Sequence, residues 1–190
     1  MLKLVEPPAV EPITIAELKL YLRIDHSVED DLLGLIIKTA RQHVEMITNR
    51  ALILQKWEWY LDDWWEGILN IPRPPLISVD QIKYRDENGT ELPFTDYRYD
   101  AVDVGRLWLA DGASFPPVKL YQYGGVKISF TAGYGSSGVS VPEPIRHAIR
   151  LLAGHYYENR EAVLVERGAN IMQLPMAVEA LLSPYRVWIF

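Results

Sequence analysis

Leu52-Ile53-Leu54-Gln55-Lys56-Trp57-Glu58-Trp59-Tyr60-Leu61 is the stretch whose reading decides the fold. From Gln55 onward the side chains alternate: Trp57, Trp59 and Leu61 fall on one side, Lys56, Glu58 and Tyr60 on the other. That two-residue period predicts a half-buried strand. The residues just upstream keep a different period. Leu32, Leu33, Ile36, Ile37, Ala40, Val44 and Ile47 recur at three- and four-residue steps, which predicts a helix with one apolar stripe, ending at Thr48-Asn49.

Reading outward from that switch, Ser27-Val28-Glu29-Asp30 offers a helix cap with acids in the first turn, where the helix dipole favours negative charge. Further upstream, Thr14-Ile15-Ala16-Glu17 spells a capping box and predicts a short helix to about Leu22. Residues 1–11 read as a proline-punctuated arm; with Lys3 as its one basic residue it lacks a signal-peptide layout, so no export is expected.

Downstream, Pro72, Pro74 and Pro75 interrupt the β texture before a strand over Ser78 to Arg85, which leads into Asn88-Gly89, a two-residue hairpin signal. Short strands are expected near Tyr97 and Leu107. Val126, Ile128 and Phe130 alternate against Lys127, Ser129 and Thr131 and predict the last strand, before the glycine-rich Gly133 to Gly138. Pro142 and Pro144 suit a helix start, and Ile145, Ala148, Ile149, Leu152 and Tyr156 give that helix an apolar face to about Arg160. A loop over Glu166 to Asn170 and a short helix from Pro175 to Leu182 come next, with Pro184 as the stop.

Helices, then strands, then helices, without βαβ alternation, predict an α+β fold. The expected architecture is a single domain over 1–190. Residues 13–49 and 142–183 form a discontinuous helical core of N- and C-terminal helices, 52–133 an antiparallel β-hairpin insertion of five or six strands, and 184–190 an aromatic C-terminal tail.

Composition narrows the function. The chain has 190 residues, 49% hydrophobic and 23% charged, a globular composition. A net charge of -6 opposes gripping of nucleic acid, which needs a clustered cationic surplus. The absence of cysteine removes disulfides, thiolate nucleophiles and thiolate-bound zinc. Apolar runs fall short of a bilayer span, so no membrane role is expected.

Chemical motifs are sparse. Gly133-Tyr134-Gly135-Ser136-Ser137-Gly138 matches G-x-G-x-x-G, but Val139 to Pro144 separates it from the next helix and no parallel strand comes after, so a strand-to-helix loop is the better reading. His147 and His155 are eight apart, beyond the one-turn spacing of helical zinc sites, and His26 and His43 are isolated; no metal ligand is assigned. Asp62-Asp63 beside Trp64-Trp65 would suit a sugar site only if a turn brought both carboxylates to one face, and reads instead as an exposed acidic turn. No nucleophile elbow or Ser/His/Asp set stands out. No catalytic residue, cofactor or metal is expected.

Aromatic content is the positive signal, with 6 Trp and 11 Tyr. Trp57, Trp59 and Tyr156 are expected to fill the chain's own core. Tyr185-Arg186-Val187-Trp188-Ile189-Phe190 lies beyond a helix-stopping proline, so it either folds back or docks on a partner, as aromatics at interfaces do. Tyr185, Arg186, Val187, Trp188 and Phe190 are the docking candidates, with the Asn88 and Gly89 hairpin as a second contact.

Several segments together resemble one family, the head-tail connector (adaptor or head-completion) proteins of tailed phages, prophages and gene transfer agents. They include Pro12-Ile13-Thr14 with Leu22-Arg23-Ile24-Asp25, Thr48-Asn49-Arg50-Ala51-Leu52-Ile53, and Ile71-Pro72-Arg73-Pro74-Pro75-Leu76. They continue with Phe130-Thr131-Ala132-Gly133-Tyr134-Gly135, Val141-Pro142-Glu143-Pro144-Ile145-Arg146, His155-Tyr156-Tyr157-Glu158-Asn159-Arg160-Glu161 and Ala180-Leu181-Leu182-Ser183-Pro184-Tyr185-Arg186. None is a catalytic motif.

The resemblance implies a non-enzymatic subunit in a ring under the portal protein, dodecameric when on it, joined to a stopper or tail-completion protein. DNA would pass through without specific binding. The implied location is the head-tail junction of the virion, and the host cytoplasm during assembly. An acidic channel wall that repels phosphate fits this. The alternatives are a stopper or tail-completion protein and, from other classes, a carbohydrate-binding module or a nucleotide-binding enzyme.

Overall fold

The computed structural model describes residues 1–159 and 176–188. They fall into two compact units, a helical one built from residues 10–53 and 135–188 and a β-rich one built from 1–9 and 54–134. Helices and antiparallel sheets together make the fold α+β, as the sequence predicts.

The helical unit contains α1 (Ile15–Leu22), α2 (Asp30–Thr48), α3 (Glu143–Glu158) and α4 (Met176–Leu182). α1 starts where the capping box predicts: Glu17 N–H donates to Thr14 Oγ1 at 3.1 Å and Thr14 N–H to Glu17 Oε2 at 2.7 Å. α2 starts later than its sequence cap suggests. Its N-cap is Glu29, with no side-chain cap bond, because the Ser27 carbonyl instead accepts from Asp30 N–H in a preceding turn. It ends as expected, at Asn49 in the left-handed region (φ 59°).

The stripe of α2 buries Leu33, Ile36, Ile37, Ala40 and Val44 against α3, which contributes Ile145, Ala148, Ile149 and Leu152. Leu32 and Ile47, at the stripe's margin, are half-buried. α4 seals the bundle with Val178 and Leu182. Each such aliphatic side chain stabilises the unit by about 1.5–3 kcal/mol.

Two arginines, Arg41 and Arg50, are buried in this unit among the described residues. Arg41, with a side chain only 4% exposed, donates from Nε to Glu11 at 2.7 Å and from Nη1 to Glu45 at 2.6 Å. Glu45 also accepts Leu52 N–H at 3.0 Å, so the pair ties the entering chain, α2 and the exit from α2 together.

In the β-rich unit, β1 (Leu2–Glu6), β2 (Gln55–Leu61), β8 (Val126–Ala132), β4 (Leu76–Arg85) and β5 (Glu91–Phe94) form an antiparallel sheet in that order. A three-stranded sheet runs β3 (Leu69–Asn70), β7 (Arg106–Leu109), β6 (Tyr97–Asp100). β8 is central. Its Val126, Ile128, Phe130 and Ala132 are fully buried, and its register places Trp57 and Val79 beside Phe130, and Trp59 and Ile82 beside Ile128, on one apolar face.

Three features depart from the sequence reading. The proline-punctuated arm is an edge strand, β1, paired with β2 through Leu2 opposite Trp59 and Leu4 opposite Trp57. Residues 52–133 contain seven strands instead of five or six, split between two sheets, because the short β3 finds a partner in β7. The β4–β5 connection is not a two-residue Asn-Gly turn. Gly89 N–H closes onto Asp86 O at 2.9 Å and Gly89 takes φ 87°, while the Asp86 carboxylate accepts from the N–H groups of Asn88 and Thr90. The Asp86 side chain therefore selects a longer loop with glycine at the left-handed position.

Candidate functional site

The tail is fixed by the end of α2 and the two residues after it. Asn49, in its left-handed conformation, exposes the last carbonyls of that helix, and the returning chain uses one: Val187 N–H donates to Thr48 O at 3.0 Å. Arg50, largely buried, donates from Nε to Tyr185 O at 2.7 Å, and Asn49 Nδ2 donates to Val187 O at 3.4 Å. Ser183–Tyr185 forms a 3₁₀ turn around Pro184, and Arg186 pairs with Glu179 of α4 at 3.3 Å.

Of the docking candidates, Tyr185, Arg186 and Val187 are therefore half-buried: the backbones of Tyr185 and Val187 are tied to Arg50 and the end of α2, and Arg186 N–H closes onto Ser183 O. Trp188 is different, with 72% of its surface exposed. Phe190 lies outside the described residues. Asn88 and Gly89 are exposed in the β4–β5 loop of the other unit. Sequence reading names Asn49 only as a helix end and Arg50 only within a family segment; their role as the tail's anchors is shown by the structure, where Asn49 takes the left-handed conformation directly before Arg50.

The other motifs have structural explanations. In the G-x-G-x-x-G segment, Gly138 opens a three-residue 3₁₀ turn, Gly138–Ser140, and α3 begins only at Glu143. A Cβ on Gly138 would lie 2.6 Å from Pro12 O, so glycine is required by close backbone approach. A shallow groove of about 400 Å³ beside it is bordered by Pro12, Thr14, Glu17, Ser137 and Arg146. Arg146 is fully engaged there, by Glu17, by Glu143 at 2.7 Å and by Pro12 O at 3.1 Å. Burial acts to raise the Glu17 pKa, but the Thr14 hydrogen bonds with Arg146 and Arg150 outweigh it and hold the carboxyl below its usual value. Glu143 is also lowered, first by its hydrogen bond from Arg150.

Asp62 accepts Gly124 N–H at 2.8 Å and Asp63 accepts Trp64 N–H at 2.7 Å, so each carboxylate ties down backbone. Their neighbours are not surface platforms: Trp64 stacks on Phe115 at 4.5 Å and contacts Phe94 and Tyr84, while Trp65 meets Phe115 edge-on. Such ring pairs contribute about 0.5–1.5 kcal/mol each beyond area burial. His43 Nδ1 and Tyr156 Oη are 2.5 Å apart between α2 and α3, and His147 meets the Tyr21 ring edge-on. Among the described residues no three His, Asp or Glu side chains gather as a metal site. None of their helices is long and apolar enough to cross a membrane.

Two features remain: in the helical unit a projecting tryptophan held by main-chain bonds, and in the β-rich unit a polar hairpin tip. Residues 12–95 match the profile of the phage gp6-like head-tail connector proteins. The chain also superposes over its whole length, at 29% identity, on a subunit of the neck of an empty gene transfer agent particle computed with C6 symmetry (TM-score 0.79, 97% of that chain).

The chain is similar to the phage head-tail connector proteins. A chain of the virion of a native gene transfer agent particle matches at TM-score 0.80, with 29% identity over 100% of this chain and 97% of that one. One from the neck of the native particle computed with C12 symmetry matches at 0.73, with 29% identity, 99% of this chain and 97% of the other. No curated protein matches the sequence.

Proposed function

We propose that this chain is the adaptor subunit of a tailed phage or phage-like particle, forming a ring under the portal that joins the DNA-filled head to the tail and surrounds the DNA exit channel. The observation that carries this reading is end-to-end similarity to neck subunits of particles with sixfold and twelvefold symmetry. In a ring each copy meets its neighbours by heterologous contacts that close after a fixed number of steps. The helical unit supplies the tail: Trp188 faces the portal, while Thr48, Asn49 and Arg50 hold the preceding backbone at a fixed height. The Asn88-Gly89 loop faces the tail or the adjoining copy.

The net charge of -6 suits a channel wall that duplex DNA slides past. The role is structural and needs no bond-making centre. Purified chain is mixed with purified portal, and mass and negative-stain shape are recorded with each alone. The expected product is a symmetric ring capping the portal. A chain that stays single and unattached beside portal would overturn the reading.

A further inference from the structure

Which sheet edges are open depends on where the main-chain groups point. Tyr60 N–H donates to Met1 O at 2.8 Å and the Met1 amino group donates to Tyr60 O at 2.6 Å. In an antiparallel ladder, bonded and non-bonded pairs alternate. Lys3 and Glu58 are therefore the next bonded pair, and the N–H and C=O groups of Leu2 and Leu4 point away from β2.

The same alternation, traced through β8 and β4, leaves Glu91 and Pro93 outward on β5. Pro93 has no N–H to donate, so that edge is blunted. On β6 the outward residues are Tyr97 and Tyr99, and Tyr97 N–H already donates to Thr95 O at 2.9 Å. Among the described residues, β1 is the edge that keeps two outward donors. It also carries apolar side chains, with Leu4 40% and Val5 48% exposed, and Leu2 and Leu4 lie across from Trp59 and Trp57.

We infer that the outer edge of β1 accepts an extended segment of a second copy of this chain, which adds a strand to the five-stranded sheet. The inference rests on the connector reading, because a ring gives every copy an acceptor surface on one side and an offered one on the other. Symmetry restricts the occupant. Pairing of β1 with β1 would be twofold and close a dimer, whereas the similar necks are computed with sixfold and twelvefold symmetry, so a different part of the adjoining copy lies along β1. Main-chain bonds supply affinity in such strand addition, and alternate side-chain contacts supply selectivity.

Leu4→Pro tests this in the full chain, since it removes an outward N–H and spares the Met1–Tyr60 and Lys3–Glu58 pairs. The expected result is an unchanged circular dichroism melt, retained portal binding, and a copy-to-copy contact weakened by about tenfold, equivalent to about 1.4 kcal/mol, read as loss of closed rings by mass photometry. A second measurement uses the absence of native cysteine: Val5→Cys carrying a maleimide photocrosslinker is expected to yield a peptide of this same chain. Rings that form undiminished in Leu4→Pro, or crosslinks only to portal or another protein, overturn the inference and leave the connector reading standing. If the unmodified chain forms no ring with portal, both fall.

Discussion

Trp188→Ala separates docking from folding. A tryptophan side chain presents roughly 150–250 Å²; with 72% of Trp188 exposed, about 110–180 Å² is open to a partner, or about 3–4.5 kcal/mol at about 25 cal/mol per Å². Fixing the side chain on binding costs about 1 kcal/mol. The remaining difference of roughly 2–3.5 kcal/mol corresponds to about 30- to 400-fold weaker portal attachment. The assay is titration of portal rings with labelled chain. The thermal midpoint should stay unchanged, because the anchoring bonds at Thr48, Asn49 and Arg50 go to the backbones of residues 185 and 187. Deleting the tail would be a poorer test, since it removes those bonds as well. Portal affinity within threefold of the unmodified chain, at equal stability, would refute the assignment of Trp188 as the docking residue.

Stability measurements probe the helical unit. Arg41→Met leaves Glu45, 12% exposed, without its cation in the helical core, and should cost about 3–5 kcal/mol by urea denaturation. Gly138→Ala drives a Cβ to 2.6 Å from Pro12 O and should lower the thermal midpoint, without changing the response to added dinucleotides. The pH dependence has a defined sign. Glu17 and Glu143 titrate lower in the folded protein than their usual value of 4.5, so their stabilisation is present above that value and is lost as pH falls through the folded pKa. Glu17→Gln should accordingly lower stability at neutral pH, where that contribution is present, and flatten the acid limb so that variant and unmodified curves converge at low pH.

Local signals were the legible ones. The Thr14–Glu17 box, the α2 stripe and the alternation in β2 and β8 each contain their whole cause within one turn or one pleat, so they emerged where the sequence placed them. β1 did not, because its reason to be a strand is a partner more than fifty positions away. Arg41 sits beside an apolar stripe; Glu45 is one turn away, but its second partner, Glu11, arrives from 30 positions upstream. Trp64 and Trp65 read as surface residues because Phe115, which covers them, lies in a stretch with no periodicity. The path of the tail is illegible for the same reason: the residues that hold it, Thr48 to Arg50, are distant in sequence.

The way Val187 and Tyr185 are held has an evolutionary consequence. Peptide groups carry those bonds, so substitutions along the tail leave its path unchanged. On the proposed docking, a lineage that acquires a new portal can redesign the side chain at position 188 in single steps, each tried from the same fixed platform and none endangering the fold beneath it.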